Sequence, residues 1–383
     1  MQSHNTIIYS ATFLFHVALS LTLYINSTFV ATFVGEKMVG IIYSVGSLLV
    51  LIALLCAPFV FKRVGGYRFA LGTTLLFALS LLGLAFAKNG VTASIFVILS
   101  FMFTDMFLFT LDEFLKISTN NSELGHAKGT YLVVAHIALI GVQFIVWLGL
   151  GLLPFREIYL LAFATALSLF LLLKSHLRRI PEPKYAPVKH WKFIDKFFAV
   201  KNLRRAYLLS LLLQFFYAWM IIYTPIYLST HLNFSWSEIG VILSVMLTPF
   251  LFVPAYLGNY GDKFGERKML MMGFGVATLS TLLLFVVTIK SVLILAILLF
   301  FTRIGASSIY VMSETYFFKH IKPENEEFVS LYRTTIPVAY IFGPLVASGL
   351  FMVIPSFNFI YLVLSAIMLS GVYISSTIRK NDI

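Results

Sequence analysis

The feature that most constrains this chain is an internal repeat: a unit of about two hundred residues is written twice. Gly65 and Gly265 sit in matching basic loops, and Glu113, Tyr131, Ala138 and Ile140 recur 201 positions later as Glu314, Tyr332, Ala339 and Ile341. Apolar segments begin near residue 7 in one half and near 206 in the other. A repeat of this length predicts two copies of one helical bundle that bury the same faces twice. The expected division is a bundle over 1–174, a polar linker over 175–205 and a second bundle over 206–383.

Composition says where such bundles must sit. Hydrophobic residues make up 60% of the 383 and charged residues only 11%, with a mean hydropathy of +0.92. A soluble chain would be roughly a quarter charged. Lipid admits only helices and closed barrels, because every backbone polar group must be satisfied internally. The apolar runs approach 20 residues and do not alternate, so they read as helices. Twelve spans are expected, at about 7–34, 39–61, 68–87, 91–115, 128–151, 156–174, 206–230, 237–260, 268–288, 291–316, 328–352 and 356–376. The first lacks a basic start and is too long for a signal-peptide core, so it is expected to be a retained span. The fold class is therefore an all-α integral membrane protein of two pseudo-symmetric six-helix bundles.

The net charge of +12 does not indicate a nucleic-acid partner, because the bases lie in the loops between spans. On one side fall 23 of the 28 Lys and Arg; Lys37, Lys88, Arg156 and Lys290 fall on the other, and Arg303 lies within a span. This asymmetry predicts a plasma (inner) membrane protein with both termini and the middle loop in the cytoplasm. In that loop Trp191, Ile194, Phe197 and Phe198 share one helical face, which suggests either a short helix lying on the inner membrane surface or a basic tether that merely fixes topology. The single cysteine, Cys56, excludes an intrachain disulfide, and no metal-ligand cluster is visible. No phosphate-binding G-x-x-x-x-G-K-(S/T) run occurs, which argues against an ATP-driven pump. His190 and Asp195 have the H-x4-D spacing of glycerolipid acyltransferases, but a short basic loop offers no catalytic domain around them. Neither a cofactor nor an enzymatic reaction is expected.

The loop after the eighth span reads Gly258-Asn-Tyr-Gly-Asp262-Lys263-Phe-Gly265-Glu-Arg267-Lys268. It resembles the signature loop of the major facilitator superfamily, G-x-x-x-D-(R/K)-x-G-x-(R/K)-(R/K), and the twelve spans in a 6+6 repeat extend the resemblance over essentially the whole chain. The resemblance implies a gating latch on the cytoplasmic side, with Asp262 facing the start of the fifth span near His126, Lys128 and Gly129. It also implies that spans 1, 4, 7 and 10 line a central cavity. The first-half loop departs from the pattern, since Lys62-Arg63-Val-Gly65 carries a lysine where the acid belongs. The helix start that this loop would meet carries Glu326 and Glu327. A charge-swapped latch of Lys62 or Arg63 with Glu326 or Glu327 is therefore expected; solvated loop charges are the plainer alternative. The Gly-Pro run typical of drug/proton antiporters in span 5 is missing; the nearest match, Gly343-Pro344, is in span 11.

A charge at mid-span costs about 2.5–3.5 kcal/mol on the insertion scale, so such residues need a reason. Asp105 in span 4 and Arg303 in span 10 lie near mid-depth, on helices that the resemblance places at the cavity. Asp105, Asp112 and Lys116 share a helical face, as do Arg303, Ser307, Tyr310 and Glu314. His16 with Ser20 and Ser27 in span 1, and Gln214 with Tyr217 in span 7, complete the expected pathway. His136 and Gln143 are expected to be satisfied locally, and the many Phe and Tyr are not read as a binding box. The expected activity is secondary transport of a small solute by alternating access, with a coupled proton at Asp105 and an anionic group or the aspartate itself at Arg303. An amphiphile exporter and a non-transporting sensor are the alternatives. A monomer in contact with membrane lipid, with a small-molecule substrate and no nucleic acid, is expected.

Overall fold

A computed structural model describes residues 2–119, 124–149, 152–181, 194–253, 265–321 and 327–378. It divides into two compact units, Met1–Pro187 and Val188–Ile383. In the first unit the helices are α1 (Gln2–Leu23), α2 (Asn26–Val34), α3 (Glu36–Val64), α4 (Gly66–Ala85), α5 (Gly90–Ser118), α6 (Leu124–Leu148) and α7 (Phe155–His176). In the second they are α8 (Ile194–Ala199), α9 (Lys201–Ile226), α10 (Trp236–Leu247), α11 (Glu266–Val286), α12 (Val292–His320), α13 (Glu327–Arg333), α14 (Thr335–Leu350) and α15 (Phe359–Ser376).

The repeat seen in the sequence is a repeat of packing. Within the first unit α4 packs on α5 and α7, α1 on α5, α6 and α7, and α3 on α5. Within the second, α11 packs on α12 and α15, α9 on α12, α14 and α15, and α10 on α12. Each pairing has its counterpart. The two marker glycines also adopt one conformation: Gly65 has φ 88° and ψ 150°, Gly265 has φ 76° and ψ 152°. Each forms the N-cap of the following helix in a region that a Cβ would strain.

Eleven spans among the described residues are long and apolar enough to cross a membrane, and the twelfth, span 11, is present in two pieces. The chain turns at Thr334, between α13 and α14. Pro337 has no N–H to give to the Arg333 carbonyl, and the Thr334 N–H turns back to the Leu331 carbonyl at 3.1 Å. The break is held by α9, where Tyr207 Oη meets Thr334 Oγ1 at 3.1 Å and Ser210 Oγ meets Thr335 Oγ1 at 3.0 Å. Further along the same seam Trp219 Nε1 donates to the Gly343 carbonyl at 2.7 Å and Tyr223 Oη to the Pro344 carbonyl at 3.2 Å. The first span is interrupted as well, by a turn at Tyr24–Ile25, so Ser27 does not continue one helix with His16 and Ser20. Span hydroxyls mostly bond the preceding turn, as Thr12 does to the Ile8 carbonyl and Thr110 to the Met106 carbonyl, both at 2.8 Å.

The linker helix α8 corrects an expectation. Its Phe197 does not face lipid: the side chain is fully buried, with ring centres of Phe328 at 5.5 Å, Tyr207 at 6.0 Å and Phe317 at 6.4 Å. The amphipathic face that suggested a membrane surface packs against the second unit itself. Trp191, assigned to the same face, and His190 lie outside the described residues.

Candidate functional site

Arg303 lies in the middle of α12 with 2% of its surface exposed. Its Cζ is 5.4 Å from the ring centre of Tyr217, 5.9 Å from Phe216 and 6.0 Å from Phe250. The guanidinium makes no hydrogen bond or ion pair to any described residue, and its buried Nε has no partner. Three ring faces explain how this is tolerated. Each such contact contributes about 0.5–2 kcal/mol, so together they match the roughly 2.5–3.5 kcal/mol that a mid-span charge costs. One turn along α12, the Ser307 hydroxyl is wholly buried and also unpartnered. Tyr310, a turn further, is 36% exposed. Gln214 is half-buried on α9 and makes no hydrogen bond to a described residue.

The other arginine buried among the described residues provides the contrast. Arg205 donates to Asn202 Oδ1 at 3.2 Å and to the Thr377 carbonyl at 2.5 Å. Arg205 is thus supplied with acceptors, and Arg303 is not.

In the first unit Asp105 is half-buried in the middle of α5, with no hydrogen bond or ion pair to a described residue. Its neighbours on the predicted stripe are otherwise engaged. Asp112 holds Lys128, and Lys116 holds Glu113 at 2.6 Å. His16 donates from Nδ1 to the Thr12 carbonyl, 2.8 Å away, and packs edge-on to Phe15 and Tyr131. His136 is satisfied locally by the Leu132 carbonyl at 2.7 Å. Gln143 is not: its Nε2 crosses to the Ser20 carbonyl on α1, at 3.1 Å.

Sequence reasoning missed two braces, one in each unit. In the first, Lys128 on α6 pairs with Asp112 on α5 and lies 5.0 Å from the ring centre of Tyr131. In the second, Arg333 on α13 grips Glu314 on α12 through two bonds of 2.7 and 2.9 Å, and lies 5.9 Å from the ring centre of Tyr332. Tyr131 and Tyr332 are repeat equivalents, which was the signal available.

Among the latch residues, Lys62 and Arg63 are exposed at the end of α3, and Arg267 and Lys268 at the start of α11. Glu266, just before Arg267, is buried and holds Lys319. Gly258, Asp262, Lys263 and Glu326 lie outside the described residues, and Glu327 opens α13.

Comparison with known proteins gives these features their class. The sequence model of the Major Facilitator Superfamily matches residues 207–381, the second unit. Among solved structures the chain resembles the nucleoside transporter NupG, with TM-score 0.80 and 12% identity over 97% of this chain and 98% of that one. It also resembles the transporter PepTSo of the POT family, with TM-score 0.74 and 9% identity over 98% and 97%. A bacterial homologue of the human lysosomal transporter Spinster aligns with TM-score 0.68 and 12% identity over 97% and 94%. A search of curated proteins by sequence finds no match. The second unit thus matches the Major Facilitator Superfamily by sequence, and the whole chain shares the fold of these transporters.

Proposed function

We infer that the protein is a secondary carrier that moves a small polar solute by alternating access and couples that movement to a proton at Asp105. The observation that supports coupling is the isolation of this carboxylate. Asp112, Glu113, Glu266 and Glu314 each hold a base, whereas Asp105 holds none among the described residues. An acid at that depth is suited to carrying a proton, since protonation removes the charge that lipid penalises. The basic loops are assigned to the cytoplasm with both termini, on the charge asymmetry. The carrier works as a single chain among membrane lipids.

The solute comes from a thermal-stabilisation screen of the purified protein against nucleosides, sugars, amino acids and organic acids. Nucleosides are included because NupG is a nucleoside transporter. The hit is then followed in proteoliposomes. Wild type should accumulate it when a pH gradient is imposed. Asp105→Asn should lose that accumulation and keep solute exchange at equal pH. Accumulation by Asp105→Asn at the wild-type level would remove Asp105 from coupling.

A further inference from the structure

We propose that the Arg303 box is an anion subsite built for the carboxylate of a small organic monoanion with a flat apolar body. The proposal rests on the carrier reading only in taking this anion for cargo; the binding chemistry stands apart from it.

The argument begins with what is unsatisfied. Arg303, 2% exposed, and Ser307, fully buried, carry polar atoms without partners on one face of α12. They are four residues apart, and helical side chains four apart lie one above the other. Buried polar groups are ordinarily hydrogen-bonded, and each exception calls for an explanation such as an absent ligand. Arg205 shows that the same unit satisfies a buried guanidinium where none is needed.

The arrangement also selects the ligand. The three rings engage the cation by their π-faces, which meets the charge but uses none of its N–H groups. A guanidinium presents those donors as a planar fork that matches a carboxylate through two parallel bonds. A Ser307 hydroxyl on the same face suits a further bond to a carboxylate oxygen. One positive charge is neutralised by one negative charge. A dianion such as inorganic phosphate would leave a net buried charge, and a cation would face an uncompensated one. Phe216, Tyr217 and Phe250 supply the apolar wall against which a flat body packs, since small-molecule sites combine mostly apolar linings with few placed polar groups.

The test uses the purified full chain in detergent and four probes: benzoate, its neutral isostere benzamide, the cation benzylamine, and inorganic phosphate. Thermal unfolding and titration calorimetry provide the readouts. Benzoate should stabilise the protein and bind roughly 10–100-fold more tightly than benzamide, the range expected for hydrogen bonds to a charged group. Benzylamine and phosphate should have no effect. Arg303→Gln should erase the preference for benzoate over benzamide. Arg303→Lys retains the charge without the fork and should weaken benzoate by about tenfold, and Ser307→Ala should weaken it less. The lysine and alanine variants keep the test decisive if the glutamine variant does not fold.

The proposal falls if benzoate produces no shift, if benzamide or phosphate binds as well, or if benzoate binding survives Arg303→Lys and Ser307→Ala unchanged. The two readings separate in proteoliposomes. Arg303-dependent benzoate binding with no exchange of any screened solute overturns the carrier and leaves the subsite. Exchange of an uncharged solute that is indifferent to Arg303→Gln overturns the subsite and leaves the carrier.

Discussion

Gly305→Ala tests how tightly the second unit is built. Gly305 on α12 faces Gly273 and Ala277 on α11. A Cβ added there would lie 2.7 Å from the Ala277 backbone N, 2.7 Å from the Gly273 carbonyl and 3.0 Å from the Ala277 methyl. Carbon contacts are optimal near 3.5–4.0 Å, so the helices must separate by several tenths of an ångström. The obstacles are mainly backbone, so no side-chain rotation relieves them. Such a gap forfeits about a quarter to a half of each contact's attraction along the seam, and overpacking of this kind costs about 1–3 kcal/mol. Alanine returns about 1 kcal/mol of helix propensity over glycine. The expected net loss is about 0–2 kcal/mol. Gly275 provides the control: it lies on the same helix as Gly273 but has nothing within 4 Å of its added Cβ. Gly275→Ala should be neutral or stabilising by up to about 1 kcal/mol. Unfolding in mixed micelles, with sodium dodecyl sulfate as denaturant, measures both. Equal stability of the two variants would refute the reasoning, because it would mean that α11 and α12 have room between them.

The braces should differ in strength with burial. Side-chain exposure is 18% for Glu314 and 46% for Arg333, against 41% for Asp112 and 42% for Lys128. Double-mutant cycles to Gln should therefore give a coupling of about 1–2 kcal/mol for the two-bond Glu314–Arg333 pair, and about 0–1 kcal/mol for Asp112–Lys128; equal values would show that burial does not govern them. Phe197→Ala should release α8 from its seat against Phe317 and Phe328 and increase tryptic cleavage at the exposed Lys196, and Phe198→Ala should do so less. Cleavage unchanged by Phe197→Ala would show that α8 is held by something other than that side chain.

What the sequence disclosed and what it withheld divide along one physical line. Length and polarity are properties of a segment, so the spans were legible from apolar runs alone. The repeat was legible where a residue has one use: Gly65 and Gly265 because positive φ excludes a Cβ, Tyr131 and Tyr332 because each lies near a base. Partnership is a property of two segments, and there the reading failed. The face of α8 is equally apolar whether it meets lipid or Phe328, so periodicity could not choose between them. Gln143 looked locally satisfied, yet its partner is on α1. Pro337 and Pro344 read alike, but only Pro337 lies next to the break, because Thr334 and Thr335 have Tyr207 and Ser210 to turn to. The aromatic box was hidden by abundance: in a chain with 39 phenylalanines, Phe216 and Phe250 carry no signal until a cation is found between them. Arg303 was conspicuous from the start because lipid makes any mid-span charge expensive. Its significance lies in the pairing that does not occur: an arginine that had found a carboxylate would be structure, whereas one held only by ring faces still has its hydrogen bonds to give.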